Sequence, residues 1–363
     1  MVESPLSVRV NLRERSYEIR IGSGVLKSAG QVQIGSSPIK RAFIITDDRV
    51  ESLHAVPVAH SFETAGTQVD TLVVPSGEQS KSTTQADHLW NRLLELGADR
   101  QSLIVAVGGG VVGDLAGFIA ATYARGLPYL QVPTTLLAQV DSSIGGKVGV
   151  NLPHAKNMVG AFWQPAAVLI DTQTLQTLPE REYRSGLAEV VKYGVILDTD
   201  FFERLTREAP ALLERKSHIL NEVIARCCRL KADVVEADER EESGHRAVLN
   251  YGHTFAHALE AVAGYGQLLH GEAVSIGMMC AARLAQSLGR VDINFVQRQL
   301  ALLTALNLPV TSPKLNADQL LAAMLRDKKS KHGQLQFILP TRLGHVELVS
   351  SIDVAAVRSA LNS

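Results

Sequence analysis

Ser102-Leu103-Ile104-Val105-Ala106-Val107-Gly108-Gly109-Gly110-Val111-Val112-Gly113-Asp114, running on into the Ala-rich Leu115 to Ala121, decides the fold class. An apolar, branched run of strand length breaks at three glycines and gives way to a segment of helical length. The chain therefore passes from a buried strand through a tight turn into a helix. Glycines at such a turn let the backbone approach a phosphate closely, and the first-turn amides with the helix dipole favour its negative charge. The spacing is not the usual GxGxxG, so by itself the turn fits a dinucleotide site and an ordinary tight turn equally.

Similar short, β-branched runs flank it: Ala42 to Ile45, Thr71 to Val74, Tyr129 to Val132 and Ala167 to Ile170. They read as buried strands. Between two of them Ala86, Leu89, Trp90, Leu93, Leu94 and Leu96 recur at helical spacing, and the run closes at Gly97, as an amphipathic helix with a glycine stop does. Strand, helix, strand implies a parallel sheet.

After Pro179 the texture changes to long Ala- and Leu-rich stretches with helical periodicity. Helices are expected at 181–195, 220–236, 254–263, 272–288 and 318–325, followed by two strand-like pieces at 335–339 and 345–349. The reading is an α/β domain with a Rossmann-like parallel sheet over residues 1–178 and an all-α domain over 179–363. A length of 363 residues suits two cores better than one. No internal repeat or low-complexity tract points to a solenoid or a disordered tail.

Composition narrows the function classes. The chain carries 36 Lys and Arg against 37 Asp and Glu, with 46% hydrophobic residues, so nothing in bulk charge points to nucleic acid, and an anionic ligand needs a local basic cluster. No segment offers the roughly 18 uninterrupted apolar residues that span a bilayer, and the first residues lack a signal-peptide core. Three cysteines, with Cys227 and Cys228 adjacent, give no disulfide or thiolate-metal spacing. A cytoplasmic enzyme without a membrane partner is expected.

Several candidate site residues then stand out. Ser76-Gly77-Glu78-Gln79-Ser80-Lys81 follows a strand, and a Glu with a Lys three residues on suits ribose hydroxyls and phosphate charge, although a capped helix start explains it as well. Thr134 and Thr135 place hydroxyls at the carboxyl edge of the sheet, or simply cap a helix. Lys147, Lys156 and Asn157 lie in a Gly-rich segment, with Arg125-Gly126 nearby in sequence, as an oxyanion site needs. In the helical half His253 and His257 share a face at i and i+4, but Thr254 stands where the HExxH motif needs its Glu. A third imidazole, His270, opens the next helix, and Glu189 lies three residues before Lys192 on an otherwise apolar helix. Carboxylate with imidazole suits a catalytic zinc ion. Judged on these terms alone, Lys231 and Arg246 read as surface charges.

Jointly these pieces carry a resemblance. SGEQSK, GGGVVGD, RG with QVPTTLLAQVDSSIGGKVGVN, KNMVGAFWQP, SGLAEVVKYG, NYGHTFAHALE, LHGEAVSIGM and RDKK are similar to the 3-dehydroquinate synthase family over nearly the whole chain. The resemblance implies a lyase of the shikimate pathway, which leads to chorismate and the aromatic amino acids. Its substrate would be 3-deoxy-D-arabino-heptulosonate 7-phosphate, its cofactors NAD+ and one Zn2+ or Co2+, and its assembly a homodimer.

By the same resemblance Glu189, His253 and His270 ligate the metal, while His257 passes to the substrate site. NAD+ would be held by Ser76, Gly77, Glu78, Gln79, Ser80, Lys81, Gly110, Val111, Val112, Gly113, Asp114, Thr134, Thr135, Lys147, Lys156 and the run Thr174, Leu175, Gln176, Thr177, with Asp47 at the adenosine ribose. Substrate contacts would come from Arg125, Asp141, Lys147, Asn157, Lys192, Lys231, Arg246, Asn250, His257 and Lys328, with Lys329 as the alternative to the last. Arg125, Lys147, Asn157 and Lys328 would take the phosphate, and Lys231 and Arg246 the carboxylate. The implied chemistry is transient oxidation at C5, phosphate elimination, re-reduction, ring opening and an intramolecular aldol closure. One extra residue in Glu241-Glu242-Ser243-Gly244-His245 departs from the family pattern. Another sugar-phosphate cyclase, a metal-dependent polyol or glycerol-phosphate dehydrogenase, and a non-catalytic NAD-binding regulator remain the alternatives.

Overall fold

The computed structural model describes residues 4–35, 38–153, 155–264, 266–312, 315–326 and 335–362. In its first part the chain forms β1 (Leu6–Val10), β2 (Tyr17–Gly22), β3 (Arg41–Asp47), α1 (Val56–Thr64), β4 (Gln68–Val74), α2 (Thr83–Glu95), β5 (Leu103–Gly108), α3 (Gly110–Thr122), β6 (Tyr129–Pro133), β7 (Lys147–Leu152), β8 (Ala155–Phe162) and β9 (Ala167–Asp171). Among the described residues seven of these strands make one sheet in the order β1-β2-β9-β6-β5-β3-β4. All its pairings are parallel except β1 with β2 at one edge. The remaining two, β7 and β8, form a separate antiparallel hairpin.

Both faces of the sheet are covered, which is why its strands read as continuous apolar runs rather than alternating ones. Val58 and Phe62 of α1 pack with Val25 and Leu26 against Ile44, Val105, Leu130 and Val132. On the opposite face Leu89 and Leu93 of α2 and Val112, Leu115 and Ile119 of α3 pack against Phe43, Ile45, Ile104 and Tyr129. The glycines around the deciding turn serve close approach. None of Gly108, Gly109, Gly110, Gly113 and Gly117 has a left-handed φ, but a Cβ at Gly113 would lie 2.8 Å from Oε1 of Gln131 and one at Gly117 2.3 Å from a methyl of Val148. Helix α3 can lie this near β6 and β7 only without those side chains.

The rest of the chain is α4 (Glu180–Leu197), α5 (Thr199–Leu213), α6 (Ser217–Ala237), α7 (His253–Ala263), α8 (His270–Ser287), α9 (Ile293–Ala305), α10 (Ala317–Arg326), the antiparallel hairpin of β10 (Gln336–Arg342) and β11 (His345–Ser350), and α11 (Val354–Asn362). Asp198 and Asp292 cap α5 and α9, each accepting a backbone N–H three residues on. Those two helices were not picked out by periodicity, and neither was the β7–β8 hairpin. No helix among the described residues is long and apolar enough to cross a membrane.

The chain divides into two compact units, Met1–Leu178 with Leu220–Arg240, and Pro179–Ile219 with Glu241–Ser363. This differs from a division into 1–178 and 179–363 at one place, because most of α6 belongs with the α/β unit. Its polar side chains supply the reason. Asn221 accepts from the Thr172 hydroxyl at 2.8 Å, Arg229 donates to the Arg9 carbonyl at 2.5 Å, and Lys231 donates to the Asp141 carboxylate at 2.6 Å. Periodicity shows that a segment is helical but not against which core it packs.

Candidate active site

In the α/β unit the connection after β3 leads to β4 on one side, and that after β5 leads to β6 on the other. The strand order therefore reverses between β3 and β5, a switch point of the kind where open α/β sheets bind ligands at their carboxyl edge. Five expected cofactor segments lie in a row on that edge: Thr174 to Thr177 after β9, Thr134 and Thr135 after β6, Gly110 to Asp114 after β5, Asp47 at the end of β3, and Ser76 to Lys81 after β4.

Asp47 sits at the switch point, accepts the backbone N–H groups of Arg49 and Val50, and is pushed up in pKa by burial. Lys81 is buried and donates to Asp114 and to Asn157, each at 2.5 Å. Burial pushes the Asp114 carboxyl above its ordinary range against the pull of Lys81. Glu78, read as a ribose ligand, accepts the amide of Asn151 on β7 at 2.7 Å, and Asn151 in turn accepts the backbone N–H of Asn157 at 2.9 Å. SGEQSK thereby braces the β7–β8 hairpin that carries Lys147, Lys156 and Asn157. With its oxygen held by Lys81, Asn157 keeps its amide nitrogen as the donor for an anion.

Thr134 donates its backbone N–H to the Gly108 carbonyl, while the Thr135 hydroxyl accepts from Ala138, so the capping reading holds for Thr135 whatever else it does. Thr174 and Leu175 are buried, and Thr177 meets His54 at 3.0 Å. Buried Gln139 donates to the Pro133 and Asp171 carbonyls and to Thr174, tying the ends of β6 and β9 to this turn.

Arg125 is held unusually. Ala124, Arg125 and Gly126 have φ of 49°, 68° and 123°, so two non-glycine residues in succession are left-handed. Trp163 pins the turn by donating to the Leu127 carbonyl, and its ring would be 2.5 Å from a Cβ at Gly126. A left-handed non-glycine residue costs about 1–3 kcal/mol. Arg125→Gly is accordingly expected to raise stability to urea by up to ~1 kcal/mol while weakening binding of a phosphorylated substrate. A destabilised variant would show that the Arg125 side chain holds the turn.

Lys231, read as a surface charge, is 5% exposed and donates to both the backbone and the carboxylate oxygen of Asp141 at 2.6 Å. The pair draws one of the expected carboxylate ligands and Asp141 into the α/β unit.

In the helical unit the apolar face of α4 buries Glu189 completely and leaves Lys192 1% exposed, in an ion pair with it. Burying two charges is unfavourable unless both are well partnered. Oε2 takes the ion pair with Lys192, while Oε1 accepts no hydrogen bond. Oε1 instead faces two imidazole nitrogens, Nε2 of His253 and Nε2 of His270, each at 3.7 Å. One ligand atom from each of the three residues lies within 4.8 Å of the others. A buried carboxylate whose free Oε1 faces two imidazoles fits a divalent cation. His257 stands outside this group, its ring centre 5.7 Å from that of His253 and 6.5 Å from that of His270.

The two histidines are oriented from behind. His253 places Nδ1 3.1 Å from the Tyr251 carbonyl, and the Tyr251 hydroxyl donates to Gln299. Nδ1 of His270 faces Glu260 at 3.6 Å. Burial pushes the His270 imidazolium down in pKa, but Glu260 and Glu189 on either side more than offset this, so the net shift is upward. Arg181 grips Glu272 with two nitrogens at 2.7 and 2.8 Å, and Glu272 caps the Leu269 N–H at the start of α8. Tyr251, Glu260 and Arg181 escaped the sequence reading. Glu260 had a signal, since it falls seven residues after His253 and three after His257, on the same face of α7.

Arg246 is 3% exposed, with Glu241 3.8 Å from its Nε, so the surface reading fails here as well. Before it the chain turns with Glu241 and Gly244 left-handed, and Asn250 closes the short helix that follows. Lys328 and Lys329 lie outside the described residues.

Family models described as "3-dehydroquinate synthase N-terminal" and "3-dehydroquinate synthase C-terminal" match residues 71–185 and 186–330. The chain is 49% identical to a 3-dehydroquinate synthase of Rhodopirellula baltica, with 99% of this chain and 98% of that one covered. It is 47% identical to that of Desulforamulus reducens over 98% and 99%. Among solved structures it is similar to a 2-deoxy-scyllo-inosose synthase complexed with carbaglucose-6-phosphate, NAD+ and Co2+, at a TM-score of 0.89, 27% identity and coverage of 98% and 99%. A 2-epi-5-epi-valiolone synthase from Streptomyces hygroscopicus with NAD+ and Zn2+ bound gives 0.87, 28%, and 97% of both chains. A glycerol dehydrogenase of Schizosaccharomyces pombe, at a TM-score of 0.65, 16% identity and coverage of 94% and 86%, shares the fold alone.

Proposed function

The chain belongs to the 3-dehydroquinate synthase family, and we propose that its α/β unit holds NAD+ along the carboxyl edge of the sheet while Glu189, His253 and His270 hold one divalent ion, Zn2+ or Co2+. It converts 3-deoxy-D-arabino-heptulosonate 7-phosphate to 3-dehydroquinate and phosphate, a carbon–oxygen lyase reaction. The observation that carries the metal reading is Oε1 of buried Glu189, which accepts no hydrogen bond and faces two imidazoles. When bound, NAD+ supplies a reversible hydride acceptor and the ion a Lewis acid for the oxygen being oxidised.

The remaining work falls to side chains. Lys147, Asn157 and Arg125, with Lys328, bind the phosphate, and Lys231 and Arg246 bind the carboxylate. Lys231 is shared with Asp141, which keeps its ammonium fixed in place when substrate is absent. Lys192 and Asn250 orient substrate hydroxyls. His257, half-buried beside the metal ligands, moves a proton between the reacting groups and solvent. A homodimer in the cytoplasm completes the reading, on family resemblance.

The test is phosphate release from 3-deoxy-D-arabino-heptulosonate 7-phosphate with catalytic NAD+, with and without chelator, while following NADH absorbance. Release that requires metal and accumulates no NADH supports the reading. NADH accumulating, or release only from a sugar phosphate lacking a carboxylate, overturns it. In the same assay His257→Ala is expected to keep metal and NAD+ binding and to lose turnover by about 10²–10⁴, and unchanged turnover would remove His257 from the site.

A further inference from the structure

Glu260 has no part in the ligand, cofactor and substrate roles assigned above, yet its carboxylate lies directly behind His270. The ring of His270 is bracketed by two carboxylates on opposite nitrogens, with Nε2 3.7 Å from Glu189 and Nδ1 3.6 Å from Glu260. His253 shows the same arrangement with a different partner, Nε2 toward Glu189 and Nδ1 toward the Tyr251 carbonyl. An imidazole binds a cation through a lone pair, so the other nitrogen must carry the proton, and an acceptor behind it selects that tautomer and fixes the ring.

A backbone carbonyl does this for His253. His270 is the first residue of α8 and its side chain is 32% exposed, so it has more freedom to turn. The acceptor behind it is the mostly buried Glu260 carboxylate, on the same face of α7 as His253. Fixed by α7, that carboxylate couples the helix bearing one imidazole to the imidazole that opens the next.

We propose that Glu260 is a positioning residue: it accepts the Nδ1 proton of His270 and so aims Nε2 at the ion. This rests on the assignment of Glu189, His253 and His270 as metal ligands. Because a carboxylate also adds negative charge behind the ring, it strengthens His270 as a donor more than a neutral acceptor does. Glutamine keeps an oxygen to accept the proton but removes the charge, and alanine removes both.

The measurement is Zn2+ affinity of the purified protein by competition with a chromophoric chelator, in the wild type, Glu260→Gln, Glu260→Ala and Glu189→Ala. Nitrogen-15 NMR of labelled histidines in the metal-free protein, at a pH where His270 is neutral, accompanies it. Glu260→Ala is expected to bind Zn2+ about 10–100-fold more weakly, with Glu260→Gln between it and the wild type. The Nδ1–H share of neutral His270 is expected to fall from the wild type to Glu260→Ala, a change that a merely structural role would not produce. Should the alanine variant fail to fold, the glutamine variant decides by the same two readouts.

Wild-type affinity in Glu260→Ala while Glu189→Ala loses the metal overturns this proposal alone, as does an Nδ1–H share of His270 that Glu260→Ala leaves unchanged. Undiminished Zn2+ binding by Glu189→Ala instead overturns the ligand assignment beneath it.

Discussion

Glu189→Gln is expected to empty the metal site and to lower turnover by about three orders of magnitude. Glutamine matches the size of glutamate, so packing on α4 is kept and only the charge goes. The ion loses its one anionic ligand, and with it Lewis-acid stabilisation of several kcal/mol, where each 1.36 kcal/mol is tenfold in rate. A second effect follows inside the same helix. Glu189 is 0% and Lys192 1% exposed, and they are each other's ion-pair partner. Removing one partner of such a buried pair leaves an uncompensated charge at a cost of about 3–5 kcal/mol, so the metal-free variant should unfold at markedly lower urea than the metal-free wild type. Metal content, kcat and urea melts measure the three effects. A variant that keeps its zinc and its rate would remove Glu189 from the ligand set, and an unchanged melt would show that Lys192 does not depend on it.

Gly271→Ala is the second large effect, and it reaches the site through backbone alone. Gly271 follows His270 at the start of α8, where its N–H donates to the Ser185 hydroxyl of α4 at 3.0 Å. A Cβ built on it falls 1.8 Å from the Ser185 carbonyl oxygen and 2.5 Å from the carbonyl carbon. Backbone cannot yield as a flexible side chain does, so the start of α8 must move from α4 by more than 1 Å, as an order-of-magnitude figure from contact distances. Glu189 lies one helical turn beyond Ser185, and His270 is adjacent to Gly271, so the move separates two of the proposed ligands of one ion. Metal sites tolerate about 0.2 Å in ligand distance, and overpacking costs about 1–3 kcal/mol or more. Gly271→Ala should therefore lose roughly 3 kcal/mol of stability and bind Zn2+ at least tenfold more weakly. Wild-type zinc affinity in a folded Gly271→Ala protein would show that the α4–α8 approach does not set the ligand geometry.

Elements with strong local patterns were legible. The strands at 42–45, 71–74, 103–107, 129–132 and 167–170 and the helices at 181–195, 254–263 and 272–288 reappear within a few residues of the observed ends, because apolar period and glycine stops are properties of neighbouring residues. The β7–β8 hairpin was not legible. Its polar residues drew a reading as an anion-binding segment, and its burial pattern does not alternate regularly. Helix α6 was legible as a helix but not as part of the α/β unit.

At the site the division is sharper. The motif SGEQSK was visible, but not that Lys81 meets Asp114 and Asn157 and Glu78 meets Asn151. Lys231 and Arg246 read as solvated charges because lysine and arginine are mostly solvated, and no pattern within α6 announces an acceptor ninety positions away at Asp141.

Local pattern sufficed for most of the secondary elements, for the glycine turn that opens α3, and for the stock of carboxylate, imidazole and ammonium groups from which a site could be built. It also placed His253 and His257 on one helix face, since 3.6 residues per turn is a local rule. Packing sets which imidazoles meet Glu189, that Glu260 backs His270, that Lys231 and Arg246 are buried, and that Gly271 has no room for a methyl. The physical reason is that a buried charge is tolerable only beside a partner. That partner is set by the packing of helices distant in sequence, to which no local period has access.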